Sequence, residues 1–151
     1  MDLFYIIESI CEHLSERFSD ASIYINDVPQ GFTRPSFYVG LVDFSDTDLN
    51  LGTMDRRATF EIIYFAPINQ RGLTDKMRQH AAYIGMASLF SNHSLAVKDR
   101  FLKIVSKSGN VTDSEAHMSV DFEYTVDNDS MNTAEDVYEL MKELSLKYTT
   151  K

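Results

Sequence analysis

Ala116-His-Met-Ser-Val-Asp-Phe-Glu-Tyr-Thr-Val126 alternates apolar and polar residues without a break. Met118, Val120, Phe122, Tyr124 and Val126 fall on one side, as expected of a strand with one face buried and one face wet. A strand of this kind needs partners, and the chain supplies them. Arg100 to Ser106, or somewhat beyond, reads as a strand, with Ser108-Gly-Asn110 as punctuation after it. Met54 to Phe65 reads as a long strand in which Phe60, Ile62 and Tyr64 alternate with Glu61, Ile63 and Phe65. Apolar residues on both of its sides predict a central strand covered on both faces. Ser22-Ile-Tyr-Ile-Asn26 and Ser36 to Val42 complete the set. Gly40 leaves room for a close neighbour or a bulge.

Helical spacing frames these strands. From Asp2 to Asp20, Leu3, Ile6, Ile7, Ile10, Leu14 and Phe18 recur at three- and four-residue intervals. From Leu73 to Phe90, Thr74 is the expected cap, and Met77, Ala81, Ile84, Ala87 or Ser88, and Leu89 form the expected buried stripe. Its small residues predict a helix lying close on the sheet. Thr133-Ala-Glu-Asp136 resembles a capping box for a last helix with Val137, Leu140, Met141 and Leu144 on its stripe, and the tail from Tyr148 is expected to fray. Two connections stand out. Asp27 to Pro35 holds two prolines and Gly31, which excludes helix and predicts a tight turn at Pro29-Gln-Gly31. Asp43 to Gly52 reads as a polar loop. The reading is a single α+β domain over 1–151, in the order α-β-β-β-α-β-β-α. Its sheet is mixed or mostly antiparallel, with about three flanking helices.

Composition narrows the function classes. With 44% hydrophobic residues, the 151-residue chain can bury a core without staples. No apolar run approaches the ~20 residues that cross a bilayer, and the N-terminal stretch reads as a helix rather than a signal peptide. The one cysteine, Cys11, lies on the first helix's apolar stripe, suits a reducing compartment and is expected to be packed. A net charge of -9 disfavours ordinary nucleic-acid binding.

No chemical signature is present. The six glycines form no phosphate-binding pattern, and G-x-S-x-G and H-E-x-x-H are missing. His13, His80, His93 and His117 are widely spaced. Asp46-Thr-Asp48-Leu-Asn50 opens like a calcium loop, but Leu51 stands where glycine is required and Arg57 where a bidentate glutamate is required. The expectation is a protein with no catalytic residues, no metal and no cofactor.

A more specific pattern lies at Val28-Pro-Gln-Gly-Phe-Thr-Arg-Pro-Ser-Phe-Tyr-Val39. Together with Arg56-Arg57-Ala-Thr-Phe-Glu-Ile-Ile-Tyr-Phe65, the strand Val120 to Val126 and a helix led by Met131, it resembles phage tail terminator-like proteins of phages and prophages. Ala66-Pro67 departs from the pattern, which has proline directly after the Tyr-Phe pair. The resemblance implies a structural protein that forms a ring, commonly of six copies. Such a ring ends polymerisation of the tail tube and faces a head-side neck or connector protein. It would assemble in the host cytoplasm and reside at the neck end of the virion tail. DNA would pass through it without specific binding. A closed ring needs a heterologous contact. The candidate surfaces are Gln30, Gly31, Phe32 and Arg34 on the turn, Asp46 and Asp48 on the acidic loop, and the pair Arg56 and Arg57. Two alternatives stay open: another head–tail neck component, and a small ligand-binding module whose deep polar pocket assembles only in three dimensions.

Overall fold

The computed structural model describes residues 3–127 and 134–149. Its elements are α1 (Leu3–Arg17), β1 (Ser22–Ile25), β2 (Ser36–Asp48), β3 (Thr53–Phe65), α2 (Lys76–Leu89), β4 (Ser94–Val97), β5 (Arg100–Val111), β6 (Glu115–Asp127) and α3 (Ala134–Thr149). The strands form one mixed sheet in the order β1-β2-β3-β6-β5-β4. β1 runs parallel to β2, and every other pair is antiparallel. The class, the mixed sheet, the three helices and the expected order of elements agree with the sequence reading. The structure adds the short strand β4 beside β5.

The core lies on one face of the sheet. Phe37, Val39, Phe60, Ile62, Met118, Val120 and Phe122 point there and meet Ile6, Ile7, Ile10 and Leu14 of α1. Cys11 is fully buried among them. Phe18, just past the end of α1, packs its ring 4.9 Å from Phe37. Phe90, the C-cap of α2, lies 6.3 Å from Phe122. α3 lies beside β1 and α1 and buries Leu144 and Tyr148.

Several expectations are corrected here. β3 is central but helices cover one face only: Ala58, Phe60, Ile62 and Tyr64 are buried there, whereas on the opposite face Arg57, Thr59, Glu61 and Ile63 are at least partly open to solvent and Phe65 alone of these positions is buried, under the turn after β1. The expected loop from Asp43 is strand as far as Asp48, because β2 and β3 continue pairing to Asp48↔Met54 in a long hairpin. α2 begins at Lys76, with Asp75 rather than Thr74 as its cap. Its buried residues are Gln79, Ala82, Gly85 and Met86, while Met77 and Ile84 face solvent. The cause is a polar anchor: the Gln79 amide donates to the carbonyls of Thr112 (2.9 Å) and Glu115 (3.1 Å), tying the helix to the β5–β6 turn. Ala82 and Gly85 then allow close approach, and Gly85 sits against the Phe18 ring. The tail does not fray at Tyr148, which is 4% exposed. Beside Gly40 the space is taken by the Tyr38 phenol, and the bulge falls between Leu41 and Asp43. Asp2, the Thr133 cap, the lead at Met131 and the last two residues lie outside the described residues, and the side chain of Val137 is not described.

Candidate assembly surface

The turn after β1 crosses back over the sheet's second face. Tyr24, Tyr38, Ile63 and Phe65 lie at that corner, as the register Tyr24↔Tyr38↔Ile63 requires. Phe32 drops onto them: its ring centroid lies 6.3 Å from Tyr24, edge-on, and 4.6 Å from Phe65. The Arg34 guanidinium lies 5.1 Å from the Phe32 ring and 5.6 Å from the Phe65 ring, and donates to the Ala66 carbonyl at 3.0 Å. The Thr33 N–H donates to the Tyr24 hydroxyl at 3.1 Å. Gly31, at φ +74°, makes the reversal that aims Phe32 inward. Gln30 and Gly31 are left exposed on the outside of the bend. Phe32 and Arg34 thus fill a corner of their own chain.

The β2–β3 hairpin carries the next candidates. Asp46 and Arg56 face each other across it, at 2.7 and 3.0 Å in a two-pronged pair. Arg56 is 3% exposed, and the Phe44 ring lies 5.4 Å from its guanidinium. The bond from Arg56 holds the Asp46 carboxyl below the usual carboxylate range, against the upward push of partial burial. The same bond, with help from Tyr124, raises Arg56 above its ordinary value although burial opposes it. At the hairpin tip the Asn50 side chain accepts from the Gly52 (2.9 Å) and Thr53 (3.1 Å) N–H groups, and Leu51 stands fully in solvent. Asp48 is exposed.

Arg57 points to the other face. It donates to Asp121 at 2.9 Å, as do Thr59 (2.6 Å) and Ser106 (3.0 Å), a network linking β3, β6 and β5. Burial alone would raise the Asp121 carboxyl, but these three bonds outweigh it and lower it. Nearby, His117 lies 3.3 Å from Glu61 and 2.8 Å from Glu115. Glu61 and His117 line part of an open depression of about 520 Å³ with Asn110 and Ser119. Among the described residues, no three His, Cys, Asp or Glu side chains are grouped to hold a metal. Among the described residues, helices leave this face bare. Its strand positions carry Asp43, Asp55, Glu61, Glu115, Asp121 and Glu123 against Arg57 and Lys103, so acid predominates.

The structure therefore divides the sequence-derived residues into three places. Gln30, Gly31, Phe32 and Arg34 sit at the β1 corner, Asp46, Asp48 and Arg56 on the long hairpin, and Arg57 on the bare face. The sequence reading placed no residue of β5 among the candidate surfaces, although β5 holds an open edge of the sheet. β4 pairs with it only from Arg100 to Lys103, and residues 105–111 are all exposed. The valines Val105 and Val111 flanking Ser108-Gly-Asn110 were the available signal.

Among the solved structures that resemble the chain, one matches over 83% of its length and 96% of that structure's own, at 14% identity and a TM-score of 0.48, a likeness too weak to carry an argument. No curated protein matches significantly. A family model described as phage tail terminator protein matches residues 5–134, from α1 through the whole sheet to the start of α3. With that span covered, the chain belongs to the phage tail terminator family, a structural family of bacteriophage tail components.

Proposed function

We propose that this protein closes with copies of itself into a ring, of about six subunits, that caps the tail tube. The ring ends tube polymerisation and presents a surface to the head-side connector. The family match over residues 5–134 carries this reading. Assembly takes place in the host cytoplasm, and the ring then stays at the neck end of the virion tail. Gln30, Gly31, Asp48 and Arg57 offer exposed atoms to a neighbour or to the tube. Phe32, Arg34, Asp46 and Arg56 shape the same surfaces from within the chain. The bare acidic face supports a lumen that lets DNA slide, because like charge withholds the phosphate contacts that would retain it.

The test is mass in solution by light scattering over a concentration series, with and without purified tail tubes. A closed oligomer, or a monomer that assembles only at tube ends, is the expected outcome. A monomer indifferent to tubes at every concentration would refute the ring. A solved ring with a basic channel would refute the acidic lumen.

A further inference from the structure

The sheet has two open edges, and they differ in chemistry. β1 pairs with β2 only from Ser36 to Val39, so the edge of β2 is uncovered beyond it, and residues 42–48 are all exposed. On the far side of the sheet, β5 is uncovered from Val105 to Val111. The β2 edge carries Asp43, Asp46 and Asp48 with the exposed apolar side chains Val42 and Phe44. The β5 edge carries Lys107 with the exposed Val105 and Val111. A bulge marks the inner end of each open stretch, at Leu41/Asp43 and at Ile104/Ser106.

We propose that the open edge of β2 in one copy pairs antiparallel with the open edge of β5 in the next, joining the sheets of neighbouring copies into one closed wall. This rests on the ring reading above and names the contact that builds it. Three observations carry it. First, polarity fits: β2 and β5 run in opposite directions within the sheet order β2-β3-β6-β5, so a copy repeated beside itself brings them together antiparallel. Second, the side chains fit in the register that overlaps the two open stretches fully, with Ser45 opposite Ser108. Bare-face positions then stay on one face, as the two-residue period demands. Val42 meets Val111, Phe44 comes beside Gly109 and the Tyr83 ring that covers it, and Asp46 stands opposite Lys107, whose ammonium also donates to the Ala87 carbonyl at 2.8 Å. Third, the stagger fits. Within one chain Ser45 is level with Arg57, Glu123 and Lys103. The bulge at Ile104/Ser106 takes up one residue, so Ser108 is level with Ser119, four residues from Glu123; moving the partner of Ser45 there shifts each copy by about four residues, or ~13 Å, across a four-strand repeat ~19 Å wide. The strands then incline about 35° to the ring axis, at the lower end of the range a sheet needs to close on itself. In that wall β1 sits beyond the tip of the neighbouring β5, so the two short edge strands do not collide with the joint.

A cysteine pair tests the contact. Within one chain Ser45 and Ser108 are three strand spacings apart sideways, ~14 Å, and four residues apart along the strands, ~13 Å, together ~20 Å and too far for an internal disulfide. Cys11 is buried and adds no background. Under mild copper-phenanthroline oxidation, the double variant Ser45→Cys/Ser108→Cys is expected to give a covalent ladder of multimers on a denaturing gel. Each single variant alone is expected to stay uncrosslinked, and the mixture of the two to give dimers. Asp43→Cys/Asn110→Cys, opposite each other in the same register, is expected to repeat the result. Assembly by light scattering with no ladder from either pair overturns the edge contact and leaves the ring standing. Crosslinking of Ser45→Cys alone also overturns it, since like edges would then be meeting. A protein monomeric with and without tubes removes the ring reading and the edge contact together.

Discussion

Phe32 separates a packing role from a contact with a neighbour. In the structure its ring rests on Tyr24 and Phe65 and carries the Arg34 guanidinium. Phe→Ala in a full core costs about 3–5 kcal/mol. Phe32 is half-buried, so about half of that applies, roughly 1.5–2.5 kcal/mol. Loss of the stacked cation adds about 0.5–1 kcal/mol. Phe32→Ala is therefore expected to destabilise the isolated chain by about 2–3 kcal/mol. With a urea slope of about 2 kcal/mol per molar, the midpoint falls by roughly 1–1.5 M at unchanged slope. Gln30→Ala, one bend away and exposed, is expected to stay within about 0.5 kcal/mol. Equilibrium urea unfolding at low protein concentration, followed by circular dichroism, measures both. A Phe32→Ala loss under about 0.5 kcal/mol would refute the corner-filling role.

Other expectations follow from specific contacts. Asp46→Ala should cost more than Arg56→Met, because the first strands a cation that is 3% exposed while the second returns a partly exposed carboxylate to water; unfolding of the two variants gives the comparison. Asp46 and Asp121 both have lowered folded values, so their contribution is complete above the ordinary carboxylate range near ~4 and is lost as pH falls through the folded values. An acid stability profile of the Asp46→Asn/Arg56→Met pair variant should accordingly be shallower than that of the parent. Burial, then the nearby Cys11 and the glutamates of α1, push the Tyr148 hydroxyl up to about 12. Its stabilisation is complete below the ordinary tyrosine value of ~10 and lost as pH rises through the folded value, so Tyr148→Phe should flatten the alkaline limb of a stability–pH curve. Gly85→Ala puts a methyl 2.8 Å from the Phe18 ring, itself held by Phe37, and is expected to lower stability by about 1–2 kcal/mol despite alanine's better helix propensity, readable as a drop in Tm.

Periodicity made most of this fold legible. The alternation of β6 and the three- and four-residue spacing in α1 point Phe122 and Ile10 into the core, where both are fully buried. It failed where one polar or small residue decided the outcome. The expected stripe of α2 falls on the wrong face because apolar spacing leaves out Gln79, whose amide satisfies two strand carbonyls. Asp43 to Asp48 read as loop because a strand that leaves the core loses its apolar alternation, while backbone pairing with β3 persists. The two-sided apolar pattern of β3 reflected Phe65 under the Phe32 turn, not a second layer of helices. Of the candidate surface, the turn residues could be singled out by their Pro-Gly chemistry. The pairing of Arg56 with Asp46 depended on hairpin register, which sequence leaves open.

The charge on the exposed edge of β2 bears on what happens before any tube is finished. Two such edges drawn together would set Asp43, Asp46 and Asp48 against the same carboxylates, and the bulge at Leu41/Asp43 bends the strand away from a flat template. Copies released into a crowded cell are thereby discouraged from zipping edge to like edge into fibres. The reservoir of free subunits stays dispersed, and growth waits for an unlike surface.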